Sequence, residues 1–270
     1  MSTQAPEHYP SDLSDRQWAL LSELLPVPKS GPGKSGRPPS DLRAICNGIF
    51  YVVKTGCPWR YLPKIYGPFE TVYGYFRRWR IDGVWVQILK VINGVERMRQ
   101  GRDPEPSGAC VDSQSIKNFF QGQEVGFDGN KKVKGRKRHV LTDTLGLMLA
   151  VVVTSANVSD QVGWRALIGG WFVKGASRIR KIWVDMAYRG KPLRRWVGSL
   201  KKTHKIVLEV SQREGKGGFA VEPKRWVVER TFAWLGNYRR NSKDYERLLA
   251  NNKAMLQIST IRLVLRRLAP

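Results

Sequence analysis

The chain has 270 residues, 41% hydrophobic and 10% aromatic, enough to bury one large core or two ordinary ones. Its 47 Lys and Arg against 22 Asp and Glu leave a formal charge of +25, which points to a polyanionic partner. Its apolar runs are too short to span a bilayer, its first residues lack the blocks of a signal peptide, and Cys46, Cys57 and Cys110 show no paired spacing, so a membrane protein, a disulfide framework and a zinc knuckle are excluded and a reducing cytoplasm fits.

Residues 1–8 are expected to be disordered. "LSDRQWALLSELLP" then opens a first helix, with Ser14 and Gln17 at capping-box spacing. "VPKSGPGKSGRPP", residues 27–39, reads as an exposed loop. A second helix, starting at Ser40, carries Leu42, Ile45, Ile49 and Val53 on one face before "TGCPW" breaks it. "FETVYGYFRRWRIDG" places Phe69, Val72, Phe76 and Trp79 on an apolar face with Arg77, Arg78 and Arg80 nearby, and "VWVQILKVINGVERMRQ" follows as a further helix. Residues 9–100 thus form an all-helical unit, either of helix-turn-helix type with its arginines on DNA or a plain bundle with solvated arginines. Residues 101–107 are a Pro-rich linker.

From Gly108 the periodicity changes, and the remainder, 108–270, carries net +20 against +5 for 1–107. "ACVDSQSI", "KRHVLTDT" and "LMLAVVVTSA" read as three strands of a meander, with "DTLG" as a turn. A helix at 159–173, a strand "IRKIWVDMAY", a helix "GKPLRRWVGSL" and a strand "KIVLEV" complete an α/β unit with a mixed five-stranded sheet. Two helices close the chain, over 223–246 and 249–268.

Asp112 and Asp185 each end an apolar strand segment. With the first strand central, a right-handed crossover sets the fourth beside it and parallel, and the two carboxylates become neighbours. Adjacent carboxylates repel unless a cation lies between them, and hard divalent ions such as magnesium or manganese take oxygen ligands. Glu229, in the apolar helix stretch "RWVVERTF", is the candidate third acid. The plain alternatives are strand-end turns for the aspartates and an ion pair with Arg225, four residues earlier, for the glutamate.

The order Asp112, Asp185, Glu229, with "VDSQSIK", "KGRKRHVLTDTLG", "VTSANVSD", "VDMAYRGK" and "VVERTFAWLGNYRRNSKDYE" around them, resembles the insertion sequence five family of bacterial DDE transposases, and "GRPPSDLRAICNGIFYVVKTGCPWRYLP" is similar to that family's helical domain. The resemblance implies a ribonuclease-H-like fold in 108–270, behind a helical DNA-binding domain. It also implies two bound Mg2+ ions, with Mn2+ as a substitute, cleavage and joining at terminal inverted repeats of double-stranded DNA and at target DNA, a homodimer in the DNA complex, and residence on the bacterial nucleoid. Asp112 would bridge both metals, and Asp185 and Glu229 would each hold one. Some related transposases carry Tyr, Arg, Glu and Lys around the third acid. Here Arg225 and Glu229 fit the middle pair, while Glu222 and Gly236 stand at the outer positions.

Arg225 and Arg230 are candidates to shield the reacting phosphate. The basic run at 131–139, with Lys134, Arg136, Lys137 and Arg138, is a candidate phosphate clamp or a solvated loop, and Arg239 and Arg240 are candidate DNA contacts. His139 has no second histidine at ligand spacing and reads as structural. Asp143 and Asp160 read as a turn residue and an N-cap, and Trp59, Trp79, Trp226 and Trp234 as core. A nuclease of the same fold without strand transfer would share the three acids. A non-catalytic DNA-binding regulator would share the charge but give the acids no role.

Overall fold

The computed structural model describes residues 8–27, 40–120, 124–172, 178–185, 195–196, 198–199, 202, 205–210 and 225–270. Residues 1–7 of the expected disordered start, residues 28–39 of the expected loop, most of the helix expected over 190–200 and Glu222 lie outside these residues. No described helix is long and apolar enough to cross a membrane.

Four helices come first: α1 (Asp15–Ser22), α2 (Leu42–Thr55), α3 (Phe69–Ile81) and α4 (Val84–Arg99). The capping box of α1 forms as its sequence dictates, with Ser14 accepting from the Gln17 amide and Gln17 accepting from that of Ser14. Helix α2 starts at Leu42 rather than Ser40, because the Asp41 carboxylate accepts from the amides of Arg43 and Ala44 and so caps it. It stops at Gly56, whose φ of 75° lies in the left-handed region that a side chain would strain.

The sheet contains β1 (Gly108–Lys117), β2 (Gly126–Asp128), β3 (Val133–Asp143), β4 (Met148–Ser155), β5 (Lys181–Val184) and β6 (Val207–Val210), with α5 (Asp160–Phe172) between β4 and β5 and helices α6 (Trp226–Gly236) and α7 (Leu249–Leu268) after β6. The path runs β2, β3, β1, β5, β6, and β4 also pairs with β3. Strands β1, β3 and β4 form the antiparallel meander, and β5 and β6 run parallel to β1. This is a ribonuclease-H-like sheet with one element added to the expected five strands. The addition is β2, three residues long and paired only to one end of β3, too short to leave a periodicity in the sequence.

Alternation along the strands sorts the side chains onto two covered faces. Ala109, Val111, Leu141, Ile182 and Val184 pack with Trp164, Leu167 and Ile168 of α5. Cys110, Val140, Val151 and Trp183 pack with Val228, Phe232 and Leu235 of α6 and Leu256 of α7. The helical N-terminal core is not closed by its own helices. Met255, Ile258, Ile261, Val264 and Leu265 of α7 lie in it with Ile49, Phe50, Phe76 and Trp85. Buried polar ties reach the sheet as well: Asn93 donates to the Met148 carbonyl at 2.8 Å, and Arg97 pairs with Asp143.

Candidate active site

Strand register brings the two aspartates together. Gly108, Ala109 and Cys110 of β1 pair with Lys181, Ile182 and Trp183 of β5, and the same register continued by two residues, one past the end of β5, sets Asp112 level with Asp185. Parallel neighbours are about 4.8 Å apart. The separation of these acids in the sequence is therefore the register offset of the two strands. Alternation puts Asp112 on the face of Cys110 and Asp185 on that of Trp183, both covered by α6.

Glu229 comes from the first turn of α6, beside buried Val228. At the start of the same helix, buried Arg225 reaches all three acids: 3.8 Å to Asp112, 3.5 Å to Asp185 and 3.8 Å to Glu229. The Arg225–Glu229 pair anticipated from the spacing exists, but it is one contact of three. Solvent access grades across the group, with side chains 21% exposed at Asp112, 40% at Asp185 and 59% at Glu229. Burial pushes the Asp112 carboxyl up to about 6, against the opposing effects of the Ser113 amide, 2.7 Å from Oδ1, and of the Arg225 and Lys131 charges.

Among the described residues, no three Asp, Glu, His or Cys side chains already stand as a metal cluster. The acids are gathered around a guanidinium instead. Their chemistry nevertheless suits a hard divalent cation: all donors are carboxylate oxygens, and burial disfavours the bare charge of the most enclosed one.

Most of the other expected cations are elsewhere. The phosphate clamp expected of Arg136, Lys137 and Arg138 is corrected by their burial, at 1%, 5% and 2% exposure. From Gly135 onward both faces of β3 are covered, so these three cations find their partners inside the protein. Arg136 pairs with Asp244 at 2.7 Å and donates to the Glu246 and Arg247 carbonyls. Lys137 lies 3.1 Å from both Asp128 and Asp160. Arg138 donates to the Asn241 carbonyl and to Asn252. Lys134 is exposed, as are Arg77, Arg78 and Arg239, while Arg80 is half-buried.

Arg240 is also corrected from DNA contact to structural tie, since it is buried against Glu246 at 2.7 Å and donates to the Gly56 and Cys57 carbonyls. Arg230 does not join the acids. It donates to the Leu145 carbonyl and lies 4.3 Å from the rings of both Trp226 and Trp234. Lys131, which opens the basic run 131–139, stands nearer: it donates to the Ser113 carbonyl at 2.7 Å, next to Asp112. Its place beside Asp112 follows from the fold of the β2–β3 turn.

His139 is buried, shares a 3.0 Å hydrogen bond with Thr154, and is driven down to about 4 by burial, hence neutral and structural. Asp143 holds the turn by accepting from the amides of Leu145 and Leu147. Asp160 is not the cap of α5. Ser159 accepts from the Val162 amide, leaving Asp160 to take Ser113 Oγ at 2.8 Å and Lys137. Trp79 is core and Trp59 and Trp234 are half-buried, whereas Trp226 is 42% exposed.

Residues 103–264 match the family model "Transposase DDE domain", and residues 13–89 match "Putative transposase of IS4/5 family". The chain is 36% identical over 117 residues to the "Insertion element IS402 uncharacterized 16.2 kDa protein" of Burkholderia cepacia, covering 42% of this chain and 78% of that protein. It is 32% identical over 130 residues to the "Putative transposase for insertion sequence element IS402" of the same organism, covering 46% of this chain and 60% of that protein, less than two thirds of the relative's length. No solved structure matches. Transposases with a DDE domain bind DNA and generally use divalent metal ions. With that domain matched over more than half of its length, the chain belongs to the DDE transposases of insertion sequences, enzymes that cleave DNA and transfer its strands.

Proposed function

We propose that this transposase binds the terminal inverted repeats of an insertion sequence and performs magnesium-dependent strand cleavage and strand transfer at Asp112, Asp185 and Glu229. The observation that carries this reading is the convergence of the three acids, from β1, the end of β5 and α6, on one guanidinium. Nothing in the packing of the sheet requires three carboxylates there, and a regulator that only bound DNA would not need them.

In this reading Asp112 would be shared between two Mg2+ ions, with Asp185 and Glu229 each completing one. Bound metal of this kind supplies an activated oxygen nucleophile and stabilises the leaving oxygen of an in-line displacement. The chain's own residues do the rest. Enclosure by α6 limits water around Asp112. Arg225, within reach of all three acids, is placed to turn its charge to the reacting phosphate. Lys131 adds positive charge on the β1 side. We assign DNA recognition to the helical layer 9–100, catalysis to 108–270, a homodimer to the paired-end complex, and the nucleoid in the cytoplasm as the place of action.

The test is incubation of the purified chain and Mg2+ with linear DNA ending in the inverted repeats that flank its gene. Nicked ends and joined products are expected from the wild type and neither from Asp112→Asn. Nicking without joining would favour the nuclease reading, and joining by Asp112→Asn would remove the triad.

A further inference from the structure

Away from the acids, α6 and α7 carry cations that neither the acid cluster nor the core uses. Arg230 links the rings of Trp226 and Trp234, and the Arg267 guanidinium lies 4.3 Å from the Trp234 ring, so rings and cations alternate from the first turn of α6 to the last turn of α7. The series ends at a groove of about 460 Å³ lined by Lys54, Trp234, Tyr238, Leu263, Arg266 and Arg267. Lys54, on the last turn of α2, donates to the Asn237 carbonyl at 3.1 Å and lies over the Tyr238 ring. Lys54 and Arg266 are both exposed, and exposed Arg239 sits beside Gly56 at the end of α2.

Among the described residues no acid lines the groove. The acids whose charge Arg267 feels, Glu96 and Asp143, are buried and already paired with Arg99 and Arg97. The groove is thus a concentration of positive charge over an apolar floor, built from the helical layer on one side and α6 and α7 on the other.

We propose that this groove holds the sugar–phosphate backbone of the DNA whose end is processed at the carboxylates. The assignment rests on the catalytic reading above and extends it to a second contact. Helix α6 sets the distance: from Glu229 to Asn237 it rises about 12 Å at 1.5 Å per residue. That is three to four nucleotides along one strand at roughly 3.4 Å each. A DNA end following α6 from the acids therefore reaches the groove within half a helical turn. Lys54, Arg266 and Arg267 face its phosphates, and Trp234 and Leu263 meet its deoxyribose carbons. The arrangement bridges the helical layer and the catalytic face with one ligand.

The experiment compares the full-length wild type with Lys54→Gln/Arg266→Gln, two exposed positions, for binding to inverted-repeat duplex by fluorescence anisotropy from 50 to 200 mM NaCl. Thermal melts establish that both are folded. Two lost phosphate contacts lower the salt slope by about 1.8, so the wild type should lose about twelvefold more affinity than the variant over this range. An unchanged slope and affinity would overturn the proposal, including the case in which the groove serves an acidic protein. If the wild type binds but does not nick DNA with Mg2+, the catalytic reading fails while a lowered slope still supports the groove. If it nicks normally and the variant keeps the wild-type slope, the groove alone fails.

Discussion

Replacing Arg136 by Met separates the two roles open to the basic run of β3. In the sequence this arginine is a candidate phosphate contact, and its loss would then weaken DNA binding and leave stability unchanged. In the fold it is 1% exposed, pairs with a fully buried Asp244 at 2.7 Å and donates to two carbonyls. Methionine fills much of the aliphatic volume but leaves Asp244 with only neutral donors such as the Glu246 amide and the Asn118 side chain. Removing one member of a buried pair typically costs about 3–5 kcal/mol, because a charge is stranded without its partner. Urea unfolding followed by circular dichroism measures the loss. Adding Asp244→Asn removes the stranded charge, so the double variant should be less destabilised than the sum of the two single variants. A loss below about 1 kcal/mol together with weakened DNA binding would refute the reasoning and return Arg136 to the DNA-facing surface.

Asp112→Asn should abolish nicking and strand joining while retaining DNA affinity, read by gel assay and anisotropy on the same substrate. Because the Asp112 carboxyl titrates near 6, nicking at subsaturating Mg2+ should rise about tenfold per pH unit below 6 and level off above it, and a flat profile from pH 5 to 8 would contradict this. The sign for folding is opposite: a carboxyl with a raised pKa favours the protonated folded state. Without added divalent ion, stability should therefore fall as pH climbs from about 4 to about 6, by up to ~3 kcal/mol. Arg225→Gln leaves three acids without their shared cation, so Mg2+ should raise its melting temperature more than that of the wild type, and equal shifts would argue against a shared cation site. At Gly163 an added methyl group would overlap the His139 imidazole. Gly163→Ala should thus cost about 1–3 kcal/mol by overpacking, measured by thermal melts.

The acids were legible because their order and contexts survive in one dimension, and because the offset between Asp112 and Asp185 is itself the β1–β5 register. Glu229 was legible as a charge inside an apolar helix stretch. The fate of the basic run was not. From β3 alone, Arg136, Lys137 and Arg138 look like any exposed cationic strip, and their partners Asp128, Asp160, Asn241, Asn252 and Asp244 lie on other elements, most of them far away in sequence. A strand covered on both faces can hold charges only if such partners are supplied, and that is a tertiary fact. The same holds for Arg230, whose place depends on rings one turn either side of it on α6.

The insertion of α7 into the N-terminal helical core bears on how fast the chain reaches its native state. Gln17 donates to the Ala269 carbonyl across 252 residues, and Arg262 pairs with that same glutamine. Helices α1–α4, which by local contacts alone would assemble quickly, must wait for a segment joined to them only after the whole sheet has been laid down. Contacts of such long sequence separation slow folding. Until α7 docks, the apolar faces of α2 and α4 stay open to solvent, and that unfinished core is where aggregation of a newly made chain would begin.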